Sequence, residues 1–169
     1  MPNTKKLIVS AQLIALDVVF TRLLAISTPV MKIGLGFAAV ALSAMLYGPW
    51  WAMLTAALGD IVGALLFPTG AFFPGFTLTA ACTGLIFGLC LYRRDGRVLW
   101  PVLAAALNVV LVSYLLNTAM ISYISGSAYT ALLKVRAVQL AVMLPVQIAV
   151  LGFLSLSPVV KKLLEKAET

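Results

Sequence analysis

Histidine is absent from this chain, and acidic residues and cysteines are scarce. The 169 residues include no His, five Asp and Glu together, and two Cys. Without histidine no Ser-His or Cys-His nucleophile can form, and no Gly-x-x-x-x-Gly-Lys phosphate loop is present. No Cys, His and carboxylate groups cluster with metal-ligand spacing. The sequence therefore argues against an enzyme, against ATP hydrolysis by this chain, and against any resident metal or other cofactor.

The two cysteines are too far apart for a disulfide. Cys82 and Cys90 fall on one predicted helix, where eight residues at about 1.5 Å per residue place them roughly 12 Å apart. This separation exceeds the reach of a disulfide. We expect both to be small apolar packing residues, as free cysteines commonly are.

Charged residues are also few, and what remains is strongly apolar. Hydrophobic residues make up 63% of the chain and charged residues 10%, with a mean hydropathy of +1.10. A soluble domain is nearer half apolar and a quarter charged, so this composition indicates an integral membrane protein. Because a span needs about 20 residues, the chain accommodates about six spans and no separate soluble domain. The net charge of +7 is assigned to loops that orient the protein rather than to nucleic-acid binding.

Six apolar segments predict an all-α six-transmembrane-helix bundle forming a single domain, 1–169, since helices and closed barrels alone span lipid. The first segment follows Lys5 and Lys6 as a signal peptide would, but it is long enough to span and contains Asp17 and Arg22. It is therefore retained as a helix. The predicted helices lie at about 7–26, 33–47, 50–67, 75–92, 98–121 and 137–157.

Basic residues in short loops predict the orientation. The sequence Tyr-Arg-Arg-Asp-Gly-Arg at 92–97 marks an inner loop, and basic residues near both ends of the chain agree with it. Both termini are then cytoplasmic, and loops 27–32, 67–74 and 122–136 are outside. Eight basic residues fit this assignment: Lys5, Lys6, Arg93, Arg94, Arg97, Lys161, Lys162 and Lys166.

Four cations do not fit it and would lie at or just under the outer face. They are Arg22, Lys32, Lys134 and Arg136. A charge within the membrane costs roughly 2.5–3.5 kcal/mol on insertion scales. Four cations without compensating acids therefore predict an outer pocket for an anion, although Lys134 and Arg136 also fit snorkelling to outer headgroups.

Other polar and aromatic groups are predicted at the same end. Phe72, Phe73 and Phe76 follow a Pro- and Gly-rich break and fit either ring stacking on a flat ligand or an interfacial belt. Helical spacing places Ser113 beside Asn117 and Arg136 beside Gln139, where the amides either contact a ligand or tie helices together. Asp60 is an isolated intramembrane acid; it either accepts hydrogen bonds from an amino-heterocycle or pairs with Arg22.

Three stretches resemble the folate-specific substrate-binding subunits (S components) of energy-coupling factor (ECF) vitamin transporters. Residues 57–80 read Ala-Leu-Gly-Asp-Ile-Val-Gly-Ala-Leu-Leu-Phe-Pro-Thr-Gly-Ala-Phe-Phe-Pro-Gly-Phe-Thr-Leu-Thr-Ala. Residues 28–34, Thr-Pro-Val-Met-Lys-Ile-Gly, followed by Gly-Pro-Trp at 48–50, are also similar. Ala11 and Ala15 match the alanine motif by which such subunits dock onto their coupling partner.

The resemblance implies a prokaryotic six-helix subunit that binds folate at the outer face. It implies association with a membrane coupling protein and two cytoplasmic ATPases, toppling in the membrane, and inward release. Folate has a flat pterin, an aminobenzoyl linker and a glutamate. The expected assignment gives stacking to Phe72, Phe73 and Phe76, the pterin edge to Asp60, Asn117 or Gln139, and the glutamate to Arg22, Lys32, Lys134 and Arg136. The loop 27–36 is expected to act as a lid.

Three alternatives remain open at this point. The nearest is an S component for another vitamin, of which biotin, with one carboxylate, fits a basic site better than uncharged riboflavin. A stand-alone proton-coupled carrier needs a relay of titratable groups, for which Asp17 and Asp60 offer little. A structural membrane adaptor would not need a basic, aromatic outer end.

Overall fold

The computed structural model of the chain describes residues 3–27, 32–68, 73–93, 99–158, 160, 162 and 163. Within these residues it confirms an all-α protein with six helical spans. The helices are α1 (Asn3–Val18), α2 (Gly36–Tyr47), α3 (Pro49–Leu66), α4 (Pro74–Leu91), α5 (Leu99–Leu107), α6 (Asn117–Ser125) and α7 (Tyr129–Leu156).

Two helical spans change pitch from α to π. A π-helical turn (Val19–Leu23) extends α1, and a longer π-helical segment (Asn108–Leu116) joins α5 to α6. The fifth span is therefore continuous over Leu99–Ser125. π-Helical turns are rare and frequently occur at functional sites, and the sequence pattern did not predict them.

Helix boundaries follow local chemistry. Proline occupies the first turn of both α3 and α4, where its missing N–H costs nothing. Gly48 separates α2 from α3 with φ of +86°, and Gly126 ends α6 with φ of +64°, conformations that favour glycine. Before α2, β1 (Ile26–Ser27) and β2 (Lys32–Ile33) form a short antiparallel ribbon.

Four helices among the described residues are long and apolar enough to cross a membrane: Pro49–Leu66, Pro74–Leu91, Leu99–Ser125 and Tyr129–Leu156. The apolar helix Gly36–Tyr47 is shorter. Large apolar side chains on the outer surface of the bundle are exposed, including Leu65 at 75% and Phe153 at 73%. Such a surface suits lipid rather than water.

The most extensive contact between two helices joins α3 and α4, and small residues lie in it. Gly84 lies against the Ala52 backbone, and Gly88 lies against Pro49. Close approach of helix backbones at small residues is the usual way that helices associate in lipid. Beside this contact, Phe87 is fully buried at the centre of the core.

The last span begins at Tyr129 rather than near residue 137, which corrects the predicted outer loop 122–136. Residues 126–128 alone connect it to α6. Leu132, Arg136 and Gln139 follow helical spacing and are buried, so the cations in this region belong to a helix and not to a loop. Similarly, α2 begins at Gly36 rather than residue 33, and the fifth span continues to Ser125 rather than ending near 121.

Candidate functional site

The side of α7 that faces the interior of the helix bundle carries the polar groups of the candidate site. Its buried residues are Leu132, Arg136, Gln139, Met143, Gln147 and Leu151. They recur every three or four residues, which places them on one side of the helix. The π-helical segment of the fifth span packs against α7.

A small cavity lies between these two elements. Its volume is about 10 Å³, room for about one water molecule. Drug-sized ligands occupy pockets of roughly 300–1,000 Å³, so this cavity alone is far smaller than such a ligand. The cavity is lined by Val109, Ser113, Tyr114, Arg136, Gln139, Leu140 and Met143.

Arg136 is the charged group of this cavity. Only 4% of the residue is exposed, and its Nε donates a hydrogen bond of 3.2 Å to Gln139 Oε1. Arg136 Nη1 is buried without a hydrogen-bond partner in the described part of the chain. No carboxylate among the described residues forms an ion pair with it. A buried guanidinium held by one neutral amide retains donors for an anion.

Arg22 differs, and here the expectation of four uncompensated cations is wrong. Arg22 Nη2 lies 3.3 Å from Asp60 Oδ1 in an ion pair, with side chains 9% and 21% exposed. Thr77 Oγ1 donates to the other carboxylate oxygen of Asp60 at 2.8 Å. Of the two roles predicted for Asp60, the structure therefore shows the pairing with Arg22. This network joins the end of the first span to α3 and α4.

Lys134 and Lys32 are the other two cations predicted at the outer end. Lys134 is exposed on α7, two residues before Arg136. The backbone of Lys32 pairs with that of Ser27 in the ribbon. The predicted lid at 27–36 includes residues 28–31, which also lie outside the described residues.

Ser113 and Asn117 lie on the fifth span as predicted, but they have different surroundings. Ser113 lines the cavity. Asn117 Oδ1 accepts a hydrogen bond of 2.8 Å from Thr79 Oγ1 on α4. This bond ties α6 to α4, which is the structural role considered for Asn117 from the sequence.

Two of the three predicted aromatic residues pack together at the start of α4. The rings of Phe73 and Phe76 meet edge to face with centroids 6.1 Å apart. Phe73 also contacts Tyr123 of α6 at 6.0 Å. Phe72 lies outside the described residues. The arrangement links α4 to α6, and both phenylalanines remain partly exposed.

Ala11 and Ala15 are exposed on α1, on the side away from buried Asp17. Asp17 instead packs against glycines of α2 and α3, Gly36 and Gly59.

Both cysteines are free thiols. In the described ranges no three His, Cys, Asp or Glu residues come together as a metal site.

Sequence reasoning missed one polar pair. Asn108 Nδ2 donates to Gln147 Oε1 at 3.1 Å, and both residues are buried. Asn108 is the first residue of the π-helical segment, and Gln147 follows Met143 by one turn of α7. An amide within an apolar run is the detectable sequence feature, but only the fold pairs these two.

Comparison with known proteins gives consistent results over nearly the whole chain. Residues 1–162 match the sequence profile of the family "ECF-type riboflavin transporter, S component". A folate transporter, FolT, of Clostridium novyi is 38% identical over 151 residues, covering 89% of this chain and 88% of that protein. FolT of Leuconostoc mesenteroides is 33% identical over 158 residues, covering 90% and 85%.

A solved structure has the same fold. It is described as "Crystal structure of FolT bound with folic acid", and it superposes with a TM-score of 0.86 at 34% identity. The match covers 90% of this chain and 93% of that one. The family profile names riboflavin and the individual relatives name folate, so the shared finding is the subunit type. The chain belongs to the family of multi-pass membrane S components of ECF-type vitamin transporters.

Proposed function

We propose that this protein is the folate-binding S component of an ECF importer, capturing folate at the outer face of the membrane. The observation that carries this proposal is Arg136, a buried cation beside the cavity with no carboxylate partner among the described residues. Burying such a charge is unfavourable unless an anion compensates it. The named relatives and the structural neighbour, all FolT proteins, support folate as that anion.

The glutamate of folate fits the chemistry around Arg136. Guanidinium groups bind carboxylates through charge-assisted hydrogen bonds, which are stronger than neutral ones. Gln139, already bonded to Arg136 Nε, orients the guanidinium or accepts a ligand donor. Lys134 and Lys32 supply further positive charge at the same end. Arg22 contributes to glutamate binding only if a ligand carboxylate competes with Asp60 for it.

The remaining predicted contacts form the rest of the proposed site. Phe73 and Phe76, with Phe72, stack on the flat rings of folate. Asn117 and Asp60 bind the pterin edge only if they exchange their present threonine partners. Gln139 lies on the cavity itself, and its Oε1 already accepts a hydrogen bond from Arg136.

At about 10 Å³ the cavity between the described residues is smaller than a vitamin needs, so the proposed site extends beyond it. Met143 lines the cavity, and its flexible side chain adapts to different packing partners. The π-helical segment opposite is a second element with unusual geometry. We propose that folate stabilises an open arrangement of these two walls.

Riboflavin is the second candidate, because the family profile carries its name. Riboflavin is uncharged and offers no carboxylate to Arg136. The test is calorimetric titration of the purified chain with folate, riboflavin and biotin. We expect tight binding of folate alone. Tight riboflavin binding without folate binding would overturn the proposal, and the absorption spectrum of copurified ligand gives an independent check.

We further propose that transport requires partners and that this chain does not hydrolyse ATP. The partners are a membrane coupling protein and two cytoplasmic ATPases, and the docking surface on this chain includes Ala11 and Ala15. Both are exposed on α1, and small residues permit close helix contacts in lipid. Both termini are proposed to be cytoplasmic. Labelling of a single cysteine introduced near either terminus, in a background without Cys82 and Cys90, would test this in intact cells.

A further inference from the structure

Two amide side chains meet in the apolar interior near the Arg136 cavity. Asn108 is 3% exposed and Gln147 2%, and Asn108 Nδ2 donates to Gln147 Oε1 at 3.1 Å. Asn108 Oδ1 is buried with no hydrogen-bond partner among the described residues. Unsatisfied buried acceptors are uncommon in folded proteins and call for an explanation.

Asn108 and Gln147 do not line the cavity, but each belongs to one of the two helical elements that form its walls. Val109, which lines the cavity, directly follows Asn108. On α7, Gln139, Met143 and Gln147 recur every four residues and share one face. Met143 lines the cavity and precedes Gln147 by one helical turn, so a change in its flexible side chain would extend the cavity towards the amide pair.

The polar groups on α7 are spaced for an elongated ligand. Eleven residues separate Arg136 from Gln147, which corresponds to roughly 16 Å along a helix. A ligand with a carboxylate at one end and a polar heterocycle at the other could contact both positions. A compact ligand could reach only one of them.

The hydrogen bond between the amides fixes which groups remain for a ligand. It occupies one Asn108 N–H and the Gln147 oxygen. The acceptor Asn108 Oδ1 and the donor Gln147 Nε2 are left. An acceptor and a donor are the two groups that a lactam edge requires, because its ring N–H donates and the adjacent C=O accepts. A 4-amino pteridine presents the opposite order.

We propose that Asn108 and Gln147 form the inner subsite of the vitamin pocket and determine specificity for a 4-oxo pteridine. Arg136 then binds the carboxylates and the amide pair binds the lactam edge of the ring. This inference rests on the proposed folate function. The competing interpretation is that the two amides only tie the fifth span to α7.

The test compares folate with 4-amino-4-deoxyfolate, which differs in the pteridine edge and retains the glutamate. Both dissociation constants are measured on the full-length purified chain. We expect the wild type to prefer folate by about 10-fold or more, the effect of one or two buried hydrogen bonds. The double variant Asn108→Leu/Gln147→Met removes both amides, so neither is left unpaired.

In the double variant we expect folate to weaken about 10- to 100-fold while the 4-amino analogue changes less than about 3-fold. A wild type without preference, or a variant that keeps the preference, would overturn the proposal. Equal weakening of both ligands would assign the pair a structural role and overturn it too. Should the double variant fail to fold, the wild-type preference and the single variant Gln147→Met decide.

Failure of the proposed function gives a different result. A wild-type chain that binds neither folate nor its 4-amino analogue rejects both proposals. A wild type that binds both equally rejects only the inner subsite. Arg136→Met serves as the matched control, because it should weaken the two ligands alike through the glutamate they share.

Discussion

The substitution Arg136→Met tests whether the buried guanidinium binds the ligand's carboxylates. Hydrogen bonds to charged groups contribute about 1.5–3 kcal/mol, which predicts a roughly 10- to 150-fold weaker folate complex. Pteroate lacks the glutamate and has its single carboxylate on the benzoyl ring. Its affinity should therefore fall much less, and the ratio of the two changes is the informative quantity.

The same substitution should stabilise the ligand-free protein. Arg136 is 4% exposed, and a buried Arg costs roughly 2.5–3.5 kcal/mol on insertion scales. Losing the bond to Gln139 offsets about 1–3 kcal/mol of this. The free energy of unfolding should rise by about 1 kcal/mol, seen as a higher melting temperature in detergent.

Calorimetry with folate and pteroate, together with thermal unfolding, measures both effects. Lys134→Met is the matched control, because Lys134 lies two residues away on the same helix and is exposed. It should change folate affinity by less than about 5-fold, the scale of an exposed ion pair. Equal losses for folate and pteroate in Arg136→Met, or a destabilised ligand-free protein, would refute the reasoning.

Three other predictions follow from particular contacts. Gly88→Ala should lower the melting temperature in detergent, because the new Cβ would collide with Pro49 of α3. Gly152→Ala is the control: a Cβ there meets nothing within 4 Å, so this change should be neutral or stabilising by up to about 1 kcal/mol. Equal effects of the two substitutions would contradict the close contact between α3 and α4. Alanine substitutions of Arg22 and Asp60 in a double-mutant cycle should give a coupling energy of about 1–3 kcal/mol in thermal unfolding, and additive effects would show that the pair contributes nothing. Ala15→Trp should block pull-down of the coupling protein and uptake of labelled folate while leaving calorimetric folate affinity unchanged; lost affinity would place this face in the vitamin site.

The candidate site was partly predictable because helical spacing is local information. The separation of Arg136 and Gln139 predicted a shared side, and their hydrogen bond shows it. The predicted loop 122–136 was wrong because the predicted spans followed apolar runs, and the first two turns of α7 include Lys134 and Arg136. Charged residues are rarely buried in helices, and only the packing of α7 against the fifth span reveals that Arg136 is.

Composition and apolar run length determined by themselves that this chain is an all-α membrane protein with six spans. Lipid requires the backbone to satisfy its hydrogen bonds in helices or closed barrels, and apolar runs of about 20 residues have the length of helices. The tertiary structure alone decided which cations are paired. It brought Asp60 to Arg22, left Arg136 without a carboxylate among the described residues, and joined Asn108 to Gln147. These partners are separated by 38 or more residues, so their meeting depends on helix packing, which no local sequence pattern encodes.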